Sequence, residues 1–292
     1  MSTSRIGGIL TTALVVVAFS GTPGQRTLAV GFQAPAPAAA SKTAAPAQAA
    51  SPAREEWDDP AVLRVGAERT HATMMTYPSA DLATRGDRAA SSWFRSLNNG
   101  TWKFRYSPNP ASRPTGFERP DFDDTGWPTI RVPANWEVQG FGIPIYSNSD
   151  YPFSFDPANP RVPRDDNPVG SYRTSFTVPA EWAGRRVLLH FAGVDSAFYL
   201  WINGKRVGYS EDSRTPAEFD VTSFVSAGPN TMAVEVYRWS DGWFLEDQDM
   251  FRLSGIYRDV YFWSRAPSHI RDFETRTNLD AAYRDSRPRT GA

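Results

Sequence analysis

Four acids and four large aromatics share residues 239–251, the heart of the stretch 238–260. The acids are Asp241, Glu246, Asp247 and Asp249, and the rings are Trp239, Trp243, Phe244 and Phe251. A core strand does not carry so many carboxylates, and a solvated loop does not carry so many large rings. Acids beside exposed aromatics suit a sugar. The rings stack on the apolar faces of a pyranose, and the carboxylates accept hydrogen bonds from its hydroxyls. Asp241 is the leading candidate to touch such a ligand. Its setting, Ser240-Asp241-Gly242, also has a plain reading as a turn with Gly242 at positive φ. The oxygens of Glu246-Asp247-Gln248-Asp249 suit a hard cation such as calcium, but the spacing is not that of an EF-hand loop. Pairing of these acids with Arg238, Arg252 and Arg258 is the preferred reading, because an Arg–carboxylate fork fixes a loop.

Other chemistry-bearing residues are sparse. Asn148, in Pro144-Ile145-Tyr146-Ser147-Asn148, offers a donor and an acceptor to a hydroxyl, although a proline loop packed on a sheet explains the segment equally well. His71, His190 and His269 are scattered without metal spacing, and His190 reads as a structural histidine within a strand. There is no G-x-S-x-G elbow and no GxGxxG phosphate loop. The formal net charge of −1 leaves no basic field for nucleic acid. The absence of cysteine excludes disulfides, thiolate chemistry and zinc–cysteine sites.

The elements that must position these groups read as strands. Trp102, Phe104 and Tyr106 alternate after Asn98-Asn99-Gly100; Tyr172, Thr174, Phe176 and Val178 alternate again; Val187, Leu189 and Phe191 line one face. Asn203-Gly204 between β-prone flanks is a type I′ hairpin signal. Met232, Val234 and Val236 alternate before the acid–aromatic stretch, and residues 259–263 form a further strand. Residues 80–94 carry weak helical character, residues 140–163 read as a long loop, and residues 219–224 fit strand or helix. Many short strands and few helix signals imply an all-β antiparallel sandwich of jelly-roll type.

The ends differ in kind. Arg5 followed by an apolar run over residues 6–19 and Ala18-Phe19-Ser20 reads as a signal peptide over residues 1–20. The run is shorter than the roughly 20 residues that span a bilayer, so export to the periplasm or outside the cell is expected, with no other membrane association. Residues 21–53 form a linker rich in Ala and Pro, expected to be disordered. Residues 54–266 are the sandwich. Residues 270–277 begin another strand whose partner is not evident in the polar residues that follow, so residues 267–292 read as the start of a second, truncated β domain.

Six segments in order resemble one family. They are Arg95-Ser96-Leu97-Asn98-Asn99-Gly100-Thr101-Trp102; Val132-Pro133-Ala134-Asn135-Trp136; Pro144-Ile145-Tyr146-Ser147-Asn148; Asn167-Pro168-Val169-Gly170; Trp201-Ile202-Asn203-Gly204-Lys205; and the opening stretch. Together they are similar to the amino-terminal sugar-binding domain of glycoside hydrolase family 2 β-galactosidases. The resemblance implies a galactose-binding-domain-like jelly roll that precedes an immunoglobulin-like domain and a catalytic TIM barrel. It implies retaining hydrolysis of terminal β-D-galactosides by two barrel glutamates with carboxyls about 5–5.5 Å apart. The acid/base glutamate of the family follows an asparagine, and this sequence has no Asn-Glu dipeptide and no barrel-like βα alternation. No catalytic residue is therefore assigned, and the chain alone is expected to be inactive. The resemblance carries over Asn148 and Asp241 as sugar-contacting residues, and Asp241 as a sodium ligand. Magnesium, a family trait, has its main ligands on the barrel. Trp243 stands where the family often has a small residue. The expected partners are galactose or a β-galactoside and the missing barrel. The alternatives are a free-standing carbohydrate-binding module and a docking partner for a separately encoded catalytic part.

Overall fold

The computed structural model describes residues 54–98, 100–148, 150–246 and 248–291. The expected signal peptide and linker lie outside the described residues. The strands in chain order begin with β1 (Arg64–Val65), β2 (Phe94–Ser96), β3 (Gly100–Ser107), β4 (Thr129–Val132), β5 (Ile145–Ser147) and β6 (Val169–Val178). Then come β7 (Arg186–Phe191), β8 (Val194–Asp195), β9 (Ala197–Ile202), β10 (Lys205–Glu211), β11 (Ala217–Asp220) and β12 (Gly228–Tyr237). The last are β13 (Met250–Arg252), β14 (Gly255–Ile256), β15 (Val260–Arg265), β16 (Glu274–Leu279) and β17 (Ser286–Gly291). A seven-stranded sheet, β1-β10-β9-β12-β6-β3-β4, faces a four-stranded sheet, β11-β7-β15-β2, and all these pairings are antiparallel. The all-β antiparallel sandwich read from the sequence is the observed fold.

Alternation builds the core. Phe104, Tyr172, Phe198, Leu200, Val234 and Val236 of the large sheet meet Leu189, Phe191, Val260 and Phe262 of the small one. Phe176 and Phe262 stack across the interface with centroids 4.3 Å apart. Each such side chain contributes about 1.5–3 kcal/mol by leaving water. The β9–β10 hairpin turns at Asn203 (φ 51°) and Gly204 (φ 76°), the left-handed pair that a type I′ turn requires.

Residues on the outward faces are not solvated. Tyr199, Tyr209 and Tyr237 on the outside of the large sheet pack under Trp57, Trp239 and Trp243. Leu188, Tyr261 and Trp263 on the outside of the small sheet pack under Met74 and Met75. Segments before the sandwich and after β12 thus roof both sheets, and both roofs carry polar chemistry.

Three expectations need correction. Residues 140–163 are not all loop, because β5 pairs with β13 in the register Tyr146↔Phe251. The helical character of residues 80–94 resolves into one six-residue helix, α1 (Ala80–Arg85), capped by the Ser79 hydroxyl, and a 3-10 turn at Arg88–Ala90. The strand after residue 270 does have a partner: β16 pairs with β17 through six residues. Asp280 closes that turn by accepting the Ala282 and Arg284 N–H groups, a local bond that the polar composition concealed.

Candidate functional site

Asp241 sits where β12 has ended and a 3-10 turn, Gly242–Leu245, begins. Its N–H donates to the carbonyl of Trp57 at 3.0 Å, so the arm before the sandwich holds the turn in place. Gly242 is not at positive φ, which corrects the turn reading. A Cβ there would stand 3.2 Å from the Glu211 carboxyl carbon, so glycine is needed for close approach. Glu211, at the end of β10, is 4% exposed and receives the Tyr209 hydroxyl on Oε2 at 2.9 Å.

The two carboxyl groups of Asp241 and Glu211 lie within hydrogen-bonding reach of each other. Asp241 Oδ1 and Glu211 Oε1 are buried and have no protein donor. Burial first, and the Asp241 charge second, push the Glu211 carboxyl up to about 8. Burial also raises Asp241, reinforced by the charges of Asp58 and Asp59 and opposed by hydrogen bonds. Two facing carboxyls without a donor are joined by a shared proton or by a cation.

The resemblance implies a sodium ion at Asp241. Two orphaned oxygens suit a hard cation. Among the described residues, however, no group of three or more His, Asp or Glu is arranged to hold a metal. Asp241 and Glu211 thus offer two carboxylate oxygens toward a coordination shell.

The aromatic reading is overturned. Trp239 and Trp243 are buried, their rings 4.6 Å apart, and Phe244 is half-buried. They pack on Tyr151, Phe153 and Phe155 of the loop after β5 and are unavailable to stack on a sugar. Of the four rings, Phe251 alone is exposed, 5.3 Å from Tyr146. The same packing, with the Tyr151 hydroxyl donating to the Phe244 carbonyl at 2.7 Å, ties the loop that carries Asn148 to the Asp241 turn. Asn148 is exposed beside the β5–β13 ladder, so the fold brings the two expected sugar contacts to one side of the molecule.

Among the described residues, Glu246 and Asp249 take hydroxyl and N–H partners in place of the expected Arg238 and Arg258. Glu246 accepts the Ser213 N–H at 2.7 Å and the Ser213 hydroxyl at 2.5 Å, and Asp249 accepts the Tyr146 hydroxyl. Arg238 donates to the carbonyls of Ile143 and Arg252 and stands 3.9 Å from Glu137. Arg258 donates to the Arg214 carbonyl. Asp247 lies outside the described residues.

Sequence reasoning missed Glu211, Ser213 and Asp195. Burial pushes Asp195 up to about 7, although Arg214 stands 3.2 Å away and opposes the shift. The spacing Tyr209-x-Glu211 was an available signal, since alternate residues of a strand share a face.

Residues 94–266 match the family model described as glycosyl hydrolases family 2, sugar binding domain. The chain belongs to this family. Family 2 relatives include a beta-galactosidase of Priestia megaterium, 46% identical over 235 residues, which are 79% of this chain and 22% of that protein. A beta-galactosidase of Psychromonas ingrahamii is 46% identical over 78% of this chain and 21% of its own length. The chain thus spans about 22% of the length of the curated relatives it matches. Among solved structures, a Bacteroides uniformis beta-glucuronidase is similar at 26% identity and a TM-score of 0.45, over 59% of this chain and 18% of that one.

Proposed function

We propose that this chain is the sugar-binding part of a β-galactosidase and that, by itself, it binds rather than cleaves. The observation that carries the reading is the contact between Asp241 and Glu211. A retaining pair needs about 5–5.5 Å between its carboxyls, whereas these two are in hydrogen-bonding reach and leave no room for a scissile bond. Family membership and the named beta-galactosidases support galactosides as the sugar class; hydrolysis of terminal β-D-galactosides with retention by the whole enzyme is what the sequence resemblance implies.

On this reading Asp241 and Asn148 belong to the rim of the sugar site. Asp241 lends one oxygen to a sodium ion that completes its shell elsewhere, and magnesium is held outside these residues. The catalytic glutamates come from a barrel that packs against this domain. The β16–β17 hairpin opens the next β domain, and residues 1–20 direct export.

Calorimetric titration of the purified chain with galactose tests the rim. Binding is expected at millimolar ligand, and Asp241→Asn should weaken it about tenfold, the cost of losing a charged hydrogen bond. A titration without heat overturns the rim reading. Turnover of a chromogenic β-galactoside that survives repurification overturns the binding-only reading.

A further inference from the structure

The outer face of the small sheet carries a cavity that the sugar rim does not use. Residues 67–76 cross this face as a strap tied at both ends. The Glu68 N–H donates to the Glu218 carbonyl at 2.7 Å, and the Thr76 hydroxyl donates to the Ser264 carbonyl at 2.7 Å. Between the ties the strap and the sheet enclose about 190 Å³. That is far above the ~30 Å³ share of one water and below the ~300 Å³ where drug-sized pockets begin, so it suits one monosaccharide.

Glu218 orders the floor. It is 8% exposed and accepts three N–H groups: His71 Nε2 at 3.0 Å, His190 Nδ1 at 3.0 Å and Trp263 Nε1 at 2.9 Å. His71 Nδ1 also faces an acceptor, the Ala72 carbonyl at 2.8 Å, so both ring nitrogens are engaged within the strap and its floor. His190 donates from Nδ1 and lies flat on Tyr261 at 4.5 Å. Its Nε2 has no protein partner among the described residues and belongs to a side chain lining the cavity.

The rim is cationic. Arg64 and Arg69 line the cavity, are exposed, and form no ion pair among the described residues. The other acids at the cavity are engaged. Glu68 stands 3.7 Å from Arg186 and 3.8 Å from Arg265, and Asp212 accepts the Arg214 N–H and the Thr215 hydroxyl. Two guanidiniums call for an anion, and the unpartnered imidazole nitrogen calls for a hydroxyl, which can donate to it or accept from it. An anionic sugar supplies both, and a neutral sugar leaves the guanidiniums unused.

We propose that this cavity binds an anionic sugar, with the carboxylate or phosphate on Arg64 and Arg69 and a ring hydroxyl hydrogen-bonded to His190 Nε2.

The test is long-range proton–nitrogen NMR of the full chain labelled with nitrogen-15, reading the His190 ring during titration. The probes are galacturonate, galactose 6-phosphate, neutral galactose and inorganic phosphate. A saturable shift of the His190 Nε2 signal is expected at millimolar galacturonate or galactose 6-phosphate, and whichever acts identifies the anion. Affinity should fall about tenfold in the Arg64→Gln/Arg69→Gln double variant, which leaves the fold intact because both side chains are exposed. The proposal is overturned if neither anionic sugar shifts the signal. It is equally overturned if galactose or inorganic phosphate binds as tightly, or if the double variant binds unchanged.

Discussion

The two outer faces of the sandwich each bury a glutamate, one at the end of β10 and one on β11, with opposite results. Glu211 is 4% exposed under the Trp57 arm, and Glu218 is 8% exposed under the strap. Burial raises both. At Glu218 the hydrogen bonds of His190, Trp263 and His71 outweigh it and hold the group below the usual glutamate range. Glu211 has one hydroxyl donor and faces a second carboxyl, so it rises to about 8. Burial is therefore a poor guide to charge, and the supply of N–H donors decides it. The first face is crowded with acids whose proton affinity is raised, including Asp241, Glu246 and Asp195. The second face surrounds its glutamate with N–H donors. A segment of five residues, 211–215, joins the two: Glu211 faces Asp241, Asp212 lines the cavity, and Ser213 binds Glu246.

The sharpest way to break this contrast is Glu218→Ala. It removes the acceptor of three N–H groups and strands the buried Trp263 Nε1 and His190 Nδ1, so a loss of about 4 kcal/mol is expected. Urea unfolding measures it, and a loss below about 1 kcal/mol means that Glu218 is not the anchor of its face.

Asp195→Asn probes the acid-crowded face through pH. The folded protein binds the Asp195 proton more tightly than the unfolded chain does, so its contribution to stability is complete below about pH 4 and is lost as pH rises through about 7. The variant lacks this loss and should gain roughly 3 kcal/mol on the natural chain between those limits. Parallel pH–stability curves for the two proteins contradict the assignment.

Gly208→Ala tests whether β1 anchors the strap. A Cβ at Gly208 collides with the Val65 carbonyl and with the Phe219 ring. The collision forces β1 away from β10, at about 2 kcal/mol. Hydrogen exchange at the Glu68 amide should accelerate more than exchange at Asp241, and equal protection argues against an independently tied strap. The smallest effect is expected at Phe251→Ala. This ring is 59% exposed, so the melting temperature of the isolated chain should move little, within about 0.5 kcal/mol.

How far these faces were legible in the sequence follows from distance along the chain. The β9–β10 hairpin was readable because Asn203-Gly204 has a local conformational demand. The sandwich was readable because alternation at Val187, Leu189 and Phe191 needs only a strand with one buried face. The resemblance singled out Asp241 and Asn148 because its motifs lie in order. The pairing of Asp241 with Glu211 crosses 30 positions, and that of His71 with Glu218 crosses 147. Neither pair has a local signature.

The aromatic content of the acid-rich stretch was visible, but its fate was not. A tryptophan beside aspartates fits an exposed sugar platform or a buried roof, and the two are distinguished only by what lies opposite. Here the loop after β5 and the outward tyrosines of the large sheet cover Trp239 and Trp243. The sequence by itself determined an all-β chain, its family and the identity of one carboxylate on the candidate rim, since alternation, turn chemistry and ordered motifs are local properties. Tertiary structure alone decided which carboxylates keep their protons and which histidines meet, because those outcomes depend on the donors brought to each oxygen by segments remote in the chain.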